Sequence, residues 1–439
     1  MIPRLSPYQY HQRRITPLSP VGLALFSYSF FIVSTLIPPS AYESILLEQN
    51  KMFLNPLVHL FVAACVISFV SGTTIGRKFR FVSRRRQRPP LSRSAIIIPV
   101  LLAAAINLLS LTILLRNNPN LLTAWLINAA AAKEELDTAG ALSEALPLLF
   151  GVSWWSFWRL LDKESLTGKR EWTLRLVVGL AFMFAVATSV IKVARYDLMP
   201  GVIGFILIYG IYKFKNSSVP IRKYILPLAQ AGALVISLFV VISWLRGASN
   251  SSDIINNILG YTVASYNRLA AALDGDLNFP FGGTGTYAFR FLDHIPLLDR
   301  WLDISEILGT PSSESVWLSE FTAVHQAGLD GRYIWLSSFG YLYLDLGLFI
   351  FFYLFIVGML MGWSWKNMLD GGSTGIVIYP WFAFSVLFWF GSNFLAYPRL
   401  ITFVGAALLL SMYEWMFRIV MQKSMAMPII NRQLWQERL

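Results

Sequence analysis

The sequence predicts an all-α integral membrane protein of about ten transmembrane helices, with one large, partly helical periplasmic loop between the seventh and eighth. Three observations predict this class. Of 439 residues, 56% are hydrophobic and only 14% charged, more apolar surface than a soluble chain of this length can hide. Apolar runs recur at close to the roughly 20 residues that one helical crossing needs. The 15 Trp, 18 Tyr and 32 Phe also suit a bilayer, whose headgroup level favours indole and phenol rings.

Taken in order, the spans fall at about 18–37, 53–75, 95–115, 140–160, 173–193, 197–213, 224–244, 337–363, 374–391 and 400–417. The first follows Arg13 and Arg14 and imitates a secretory leader. Its apolar stretch is long for a leader and no small-x-small cleavage site follows, so it reads as a retained span. The fifth and sixth are short and joined by a tight turn at Ala194-Arg195-Tyr196-Asp197. No internal repeat interrupts the pattern, and 1–439 reads as a single polytopic membrane domain. Cys65, the one cysteine, lies inside an apolar run and reads as a small buried hydrophobe.

The net charge of +12 would suggest nucleic acid in a soluble protein, but placement decides otherwise. Most Lys and Arg residues fall in alternate connections, above all between Arg77 and Arg93, and such residues stay on the cytoplasmic side. Both termini are therefore expected in the cytoplasm. The Arg77–Arg93 block reads as a topology anchor beside membrane lipids, with no nucleic-acid partner. On the outer side, Arg116 to Thr138 reads as an amphipathic interfacial helix.

The loop, approximately 245–336, has the opposite character. No lysine occurs between Tyr224 and Trp365, and the loop's acids outnumber its arginines. Ile254-Ile255, Ile258-Leu259, Tyr261, Tyr266 and Leu269 recur near helical spacing. Its many aromatics are unlike a disordered tether and predict that it folds down onto the bundle. Gly282-Gly283-Thr284-Gly285-Thr286 reads as a flexible turn; no strand precedes it and no GK[ST] follows, so its signal for phosphate is weak.

Several chemistries lack their motifs. There is no GxxxxGK[ST], no HExxH or His/Cys cluster and no GxSxG, so no metal or cofactor is expected. Any reaction would draw its driving force from an activated substrate in the membrane. Arginine at the outer face supplies the positive signal: Arg195 at a turn between spans, Arg246 just beyond the seventh, Arg399 between the ninth and tenth. A guanidinium binds phosphate bidentately and stays charged, although each could equally snorkel or pair with an acid. A general base is sought among Glu314, Glu320, His294, His325, Asp330 and Asp345. Asp345 is also compatible with a plain dipole role in the first turn of the eighth span.

Gly340-Tyr341-Leu342-Tyr343-Leu344-Asp345-Leu346-Gly347, with Gly358 and Gly362 beyond it, resembles the Tyr-x-Asp-Phe-Gly run of the Wzy-type O-antigen and exopolysaccharide polymerases. Ser189 to Arg195 resembles that family's hairpin arginine, and Tyr261 to Leu269 its loop-opening helix. The Asn common before the aromatic run is replaced here by Asp330-Gly331-Arg332. The resemblance implies a bacterial inner-membrane glycosyltransferase that polymerises undecaprenyl-diphosphate-linked oligosaccharide repeat units without metal or nucleotide. It implies Arg195, Arg246, Arg332 and Arg399 on the diphosphate and Glu320 or His325 as the base. Arg268, Arg290, Tyr343 and Asp345 are then expected to face substrate from the loop and its edge. A chain-length regulator stays open as a further partner. An O-antigen ligase, a lipid-linked oligosaccharide flippase and a non-enzymatic scaffold stay open as alternatives.

Overall fold

The structure is a computed structural model that describes residues 17–52, 55–79, 91–121, 123, 145–162, 171–192, 195–216, scattered positions of 226–244, 251–294, 311 and 313–436. The described residues are mostly helical, with no β-strand among them. The bundle is built from α1 (Pro20–Thr35), α2 (Pro39–Ile45), α3 (Pro56–Gly76), α4 (Arg93–Asn117), α5 (Ala145–Leu161), α6 (Glu171–Ile191) and α7 (Arg195–Asn216). The loop contributes α8 (Ser251–Tyr261), α9 (Val263–Leu273), α10 (Thr286–Phe289) and α11 (Ser313–Gln326). The chain closes with α12 (Ser337–Leu346), α13 (Ile350–Leu369), α14 (Ser373–Leu387) and α15 (Arg399–Gln436).

Among the described residues six helices are long and apolar enough to cross a membrane, or seven if the bent pair α1–α2 counts as one. The predicted ten spans are matched in part among the described residues, and two of the helices there fall short in length. At about 1.5 Å per residue, a helix needs roughly 20 residues to cross a core of about 30 Å. Helix α14, with 15 residues, is shorter than that, as is α1, with 16. Helix α1 stops where Pro38 and Pro39 follow, because proline removes a donor and disfavours helical backbone before it. Helix α2 then leaves at 93°. The predicted interfacial helix and the basic block lie mostly outside the described residues, as does most of the seventh span.

Helices α3 and α13 form the tightest pairing. A Cβ added to Gly72 or Gly76 would stand 2.0 or 1.9 Å from a carbonyl oxygen of α13. Gly358 and Gly362 present the same closeness in return. Each helix thus carries a GxxxG face, and the two backbones meet where side chains are missing.

The described part of 251–336 packs onto the bundle. All of α9 from Val263 to Ala272 is buried, against α12 and the ends of α1 and α3. A polar knot fixes it there. Both oxygens of Glu48, just after α2, accept from Arg268, at 3.2 and 2.9 Å. Glu48 also accepts from Asn267 at 3.1 Å, from the Asp330 amide at 2.8 Å and from the Tyr42 hydroxyl. Arg268 in turn donates to the Ala264 and Asp330 carbonyls.

Candidate functional site

Helix α11 carries Trp317 and Glu320 three residues apart, a spacing that puts both on one side of a helix. Trp317 is 54% exposed, whereas Glu320 is 6% exposed. Three other elements face them. The turn at α10 brings Tyr287 and Arg290, α12 brings Tyr341, and the connection between α14 and α15 brings Ser392, Asn393 and Tyr397. With Trp335 at the loop's end they enclose an open cleft of about 360 Å³. That is the low end of the range for small-molecule sites.

The glycine turn is what aims Tyr287 and Arg290. Gly283 and Gly285 adopt φ of 80° and 84°, left-handed backbone that glycine enters without a steric cost. Four amides converge on the Asp345 carboxylate: Gly283 at 3.1 Å, Gly285 at 3.3 Å, Tyr287 at 2.6 Å and Ala288 at 2.8 Å. The turn is therefore an anion nest whose anion is the protein's own. The reading of Asp345 as a first-turn dipole residue is corrected here. Gly347, at φ 52°, ends α12 after Leu346 within this span, so Asp345 stands in the last turn of α12 and caps α10 instead.

The opposite wall is tied down as firmly. Asn393 donates to the Tyr287 carbonyl at 2.9 Å. Ser338 donates its amide to the Trp389 carbonyl and its hydroxyl to the Ser392 carbonyl, both at 2.8 Å. Beside it, Ser337 takes φ 63°, strained for a residue with a Cβ and the kind of outlier that gathers at functional sites.

The cleft's electrostatics centre on Glu320. Burial pushes its carboxyl up to about 8, against the lowering influence of Arg290 and Tyr341. A carboxylate at that level exchanges protons near neutral pH, which suits a general acid or base. Tyr287 is held above its ordinary range by burial and by the charges of Glu320 and Asp345. Its hydroxyl is one of few buried side-chain polar atoms among the described residues with no hydrogen-bond partner.

The predicted site residues separate into distinct groups. Glu320 and Arg290 meet on the cleft. His325 is exposed on α11 and does not line it, being five residues from Glu320 and so turned well away. Arg332 is occupied with Asp330, at 2.9 Å from Nε, and lies over Tyr333. Burial alone would raise Asp330, but hydrogen bonds from Arg332 outweigh it and hold the carboxyl below its ordinary range. Arg268 is wholly buried in the Glu48 knot. Tyr343 turns to Phe61, ring centroids 5.4 Å apart. Arg399 borders a separate small void with Pro147, Phe150, Pro200 and Phe403, while Tyr397 and Pro398 before it line the cleft. Arg246 and the side chains of Arg195, His294 and Glu314 lie outside the described residues.

Tyr287, Tyr341, Asn393 and Tyr397 were not singled out by sequence reasoning. Residues two apart on a helix face opposite ways, so Tyr341 and Tyr343 could not both reach one site. Asn393 had a usable signal: in the predicted topology the connection between spans nine and ten falls on the same side as the loop. No potential metal-binding group of His, Cys, Asp or Glu occurs among the described residues. Comparison with known proteins finds no matching family, no matching curated protein and no matching solved structure.

Proposed function

We propose that this chain polymerises lipid-diphosphate-linked oligosaccharide repeat units at the outer face of a bacterial inner membrane. The acceptor is the terminal hydroxyl of the next lipid-linked unit. The single observation carrying the proposal is that Glu320 and Arg290 face one cleft at the loop end of a membrane bundle. The sequence resemblance around Asp345 and Arg195 gives that cleft its substrate.

The chemistry assigns each group a task. The acceptor hydroxyl oxygen attacks the anomeric carbon of the donor, and the bond from that carbon to the diphosphate oxygen breaks. The hydroxyl proton passes to Glu320, and the diphosphate departs on its lipid carrier. Diphosphate leaves well if its charge is met, a task suited to the forked donors of Arg290. Arg195 and Arg246 remain candidates for the same charge on the resemblance alone. Both termini then lie in the cytoplasm, in keeping with the distribution of Lys and Arg.

The test is the surface glycan of a strain carrying Glu320→Gln or Arg290→Ala at normal expression, separated by gel. Single-repeat products in place of long chains are expected. Wild-type chain lengths from both variants would sink the assignment. Complete loss of surface glycan would point to a ligase, and internal accumulation of intermediates to a flippase.

A further inference from the structure

Two features of the cleft go beyond proton transfer and charge. Trp317 stands at its mouth with more than half its surface open. Its tilt is fixed by a perpendicular contact with Phe321, centroids 4.8 Å apart at 88°. Tyr287 lines the same cleft from the other side, 6% exposed, with its hydroxyl unpartnered. Its ring and backbone are not at liberty: Asp345 holds its amide, Asn393 its carbonyl, and Tyr341 packs on it at 5.2 Å. A buried hydroxyl with no partner in the protein is free to pair with a bound molecule or water that enters the cleft.

A pyranose ring carries both complements. Its axial C–H groups form an apolar face that stacks on an aromatic ring, and its hydroxyl edge needs donors and acceptors. We propose that Trp317 and Tyr287 form a sugar-ring subsite in which the indole stacks on one face of a pyranose and the Tyr287 hydroxyl hydrogen-bonds its edge. The three-residue spacing of Trp317 and Glu320 then sets the ring's free hydroxyls toward the carboxyl. The inference rests on the saccharide reading above and assigns that reading its ring-binding residues.

Neither test variant removes a structural contact of consequence. Trp317→Ala alters an exposed side chain, and Tyr287→Phe keeps the packed ring while deleting only the unpaired hydroxyl. The experiment is saturation-transfer NMR on the full chain in a detergent without a sugar headgroup. The probes are the methyl glycosides of glucose, galactose, mannose, rhamnose and N-acetylglucosamine. Transfer to the protons of one ring face of at least one glycoside is expected. It should weaken about tenfold in Trp317→Ala, in keeping with the loss of one aromatic stacking contact, and weaken in Tyr287→Phe, while surviving in Glu320→Gln. Transfer to none of the five, or equal transfer to native protein and both variants, would overturn the subsite. The latter outcome would leave Trp317 as an interfacial anchor. Transfer lost in both variants, from a protein whose deletion leaves surface glycan chains unchanged, would uphold the subsite and overturn the polymerase reading.

Discussion

Glu48 and Glu320 are buried equally, each 6% exposed, and each has an arginine and a tyrosine close by. Their surroundings differ. Glu48 accepts from the Arg268 guanidinium, Asn267, Tyr42 and a backbone amide, and Arg268 beside it is completely enclosed. Glu320 sits at a cleft with room for a ligand, and Tyr287 across it keeps an unpartnered hydroxyl. The same residue types therefore build two different things. Where the carboxylate oxygens are met from within, the result is a rivet between the loop and the bundle, even though Arg268 Nε lacks a partner; where a ligand-sized cleft adjoins the acid, the protein holds a group in reserve for chemistry.

The largest effect expected from this contrast is on activity. Glu320→Gln keeps the shape of the carboxyl and removes its ability to take a proton. Loss of a general base typically lowers a rate by about 10² to 10⁴-fold, read here as the disappearance of long glycan chains. A variant with normal polymer would place Glu320 with Glu48 as a structural acid and erase the distinction.

Next is the rivet itself. Removing one partner of a buried ion pair strands the other, at about 3–5 kcal/mol. Glu48→Ala should therefore lower the thermal unfolding midpoint sharply, while Glu320→Gln at pH 6 should not. A small effect from Glu48→Ala would mean that water enters the knot and that α9 is held by its apolar face alone.

The two acids also separate by pH. Glu320 has a folded value near 8 against an ordinary 4.5, so the folded state keeps its proton after the unfolded chain has released it. Stability then falls as pH rises between those values, by at most about 1.4 kcal/mol per unit, and levels off above 8. Glu320→Gln removes that loss. Its unfolding midpoint relative to native protein should climb from pH 5 to pH 8 and then hold steady. A constant difference across that range would contradict the raised carboxyl.

Much of this contrast was legible in the sequence and part of it was not. The lysine-free, aromatic loop and the helical spacing of 254–269 announced a folded cap, and α8 and α9 lie there. Glu320 was selected as a candidate base because it is an acid in that cap. Arg268 was selected on the same reasoning and fills the opposite role. Its partner Glu48 lies 220 positions earlier, and no local pattern reports a pairing at that distance. Asp345 shows the same limit from another side. Its motif was recognised, yet its four amide donors come from a glycine turn about sixty residues back. Spacing along a helix resolves which face a residue occupies, but not what stands opposite.

The smallest expected effects fall on residues that the sequence favoured and the cleft leaves out. Arg332 is half exposed while its partner Asp330 is buried; with the arginine end open to water, its loss should cost less than breaking the enclosed Glu48–Arg268 pair. His325 is exposed on the far side of α11. Arg332→Ala and His325→Ala should each leave glycan chain length within the range of the native strain, and each should move the unfolding midpoint little. Shortened chains in His325→Ala would be the more damaging result. They would mean that α11 turns or shifts when substrate binds, bringing a second proton carrier into reach. The contrast between Glu48 and Glu320 would then depend on whether substrate is bound.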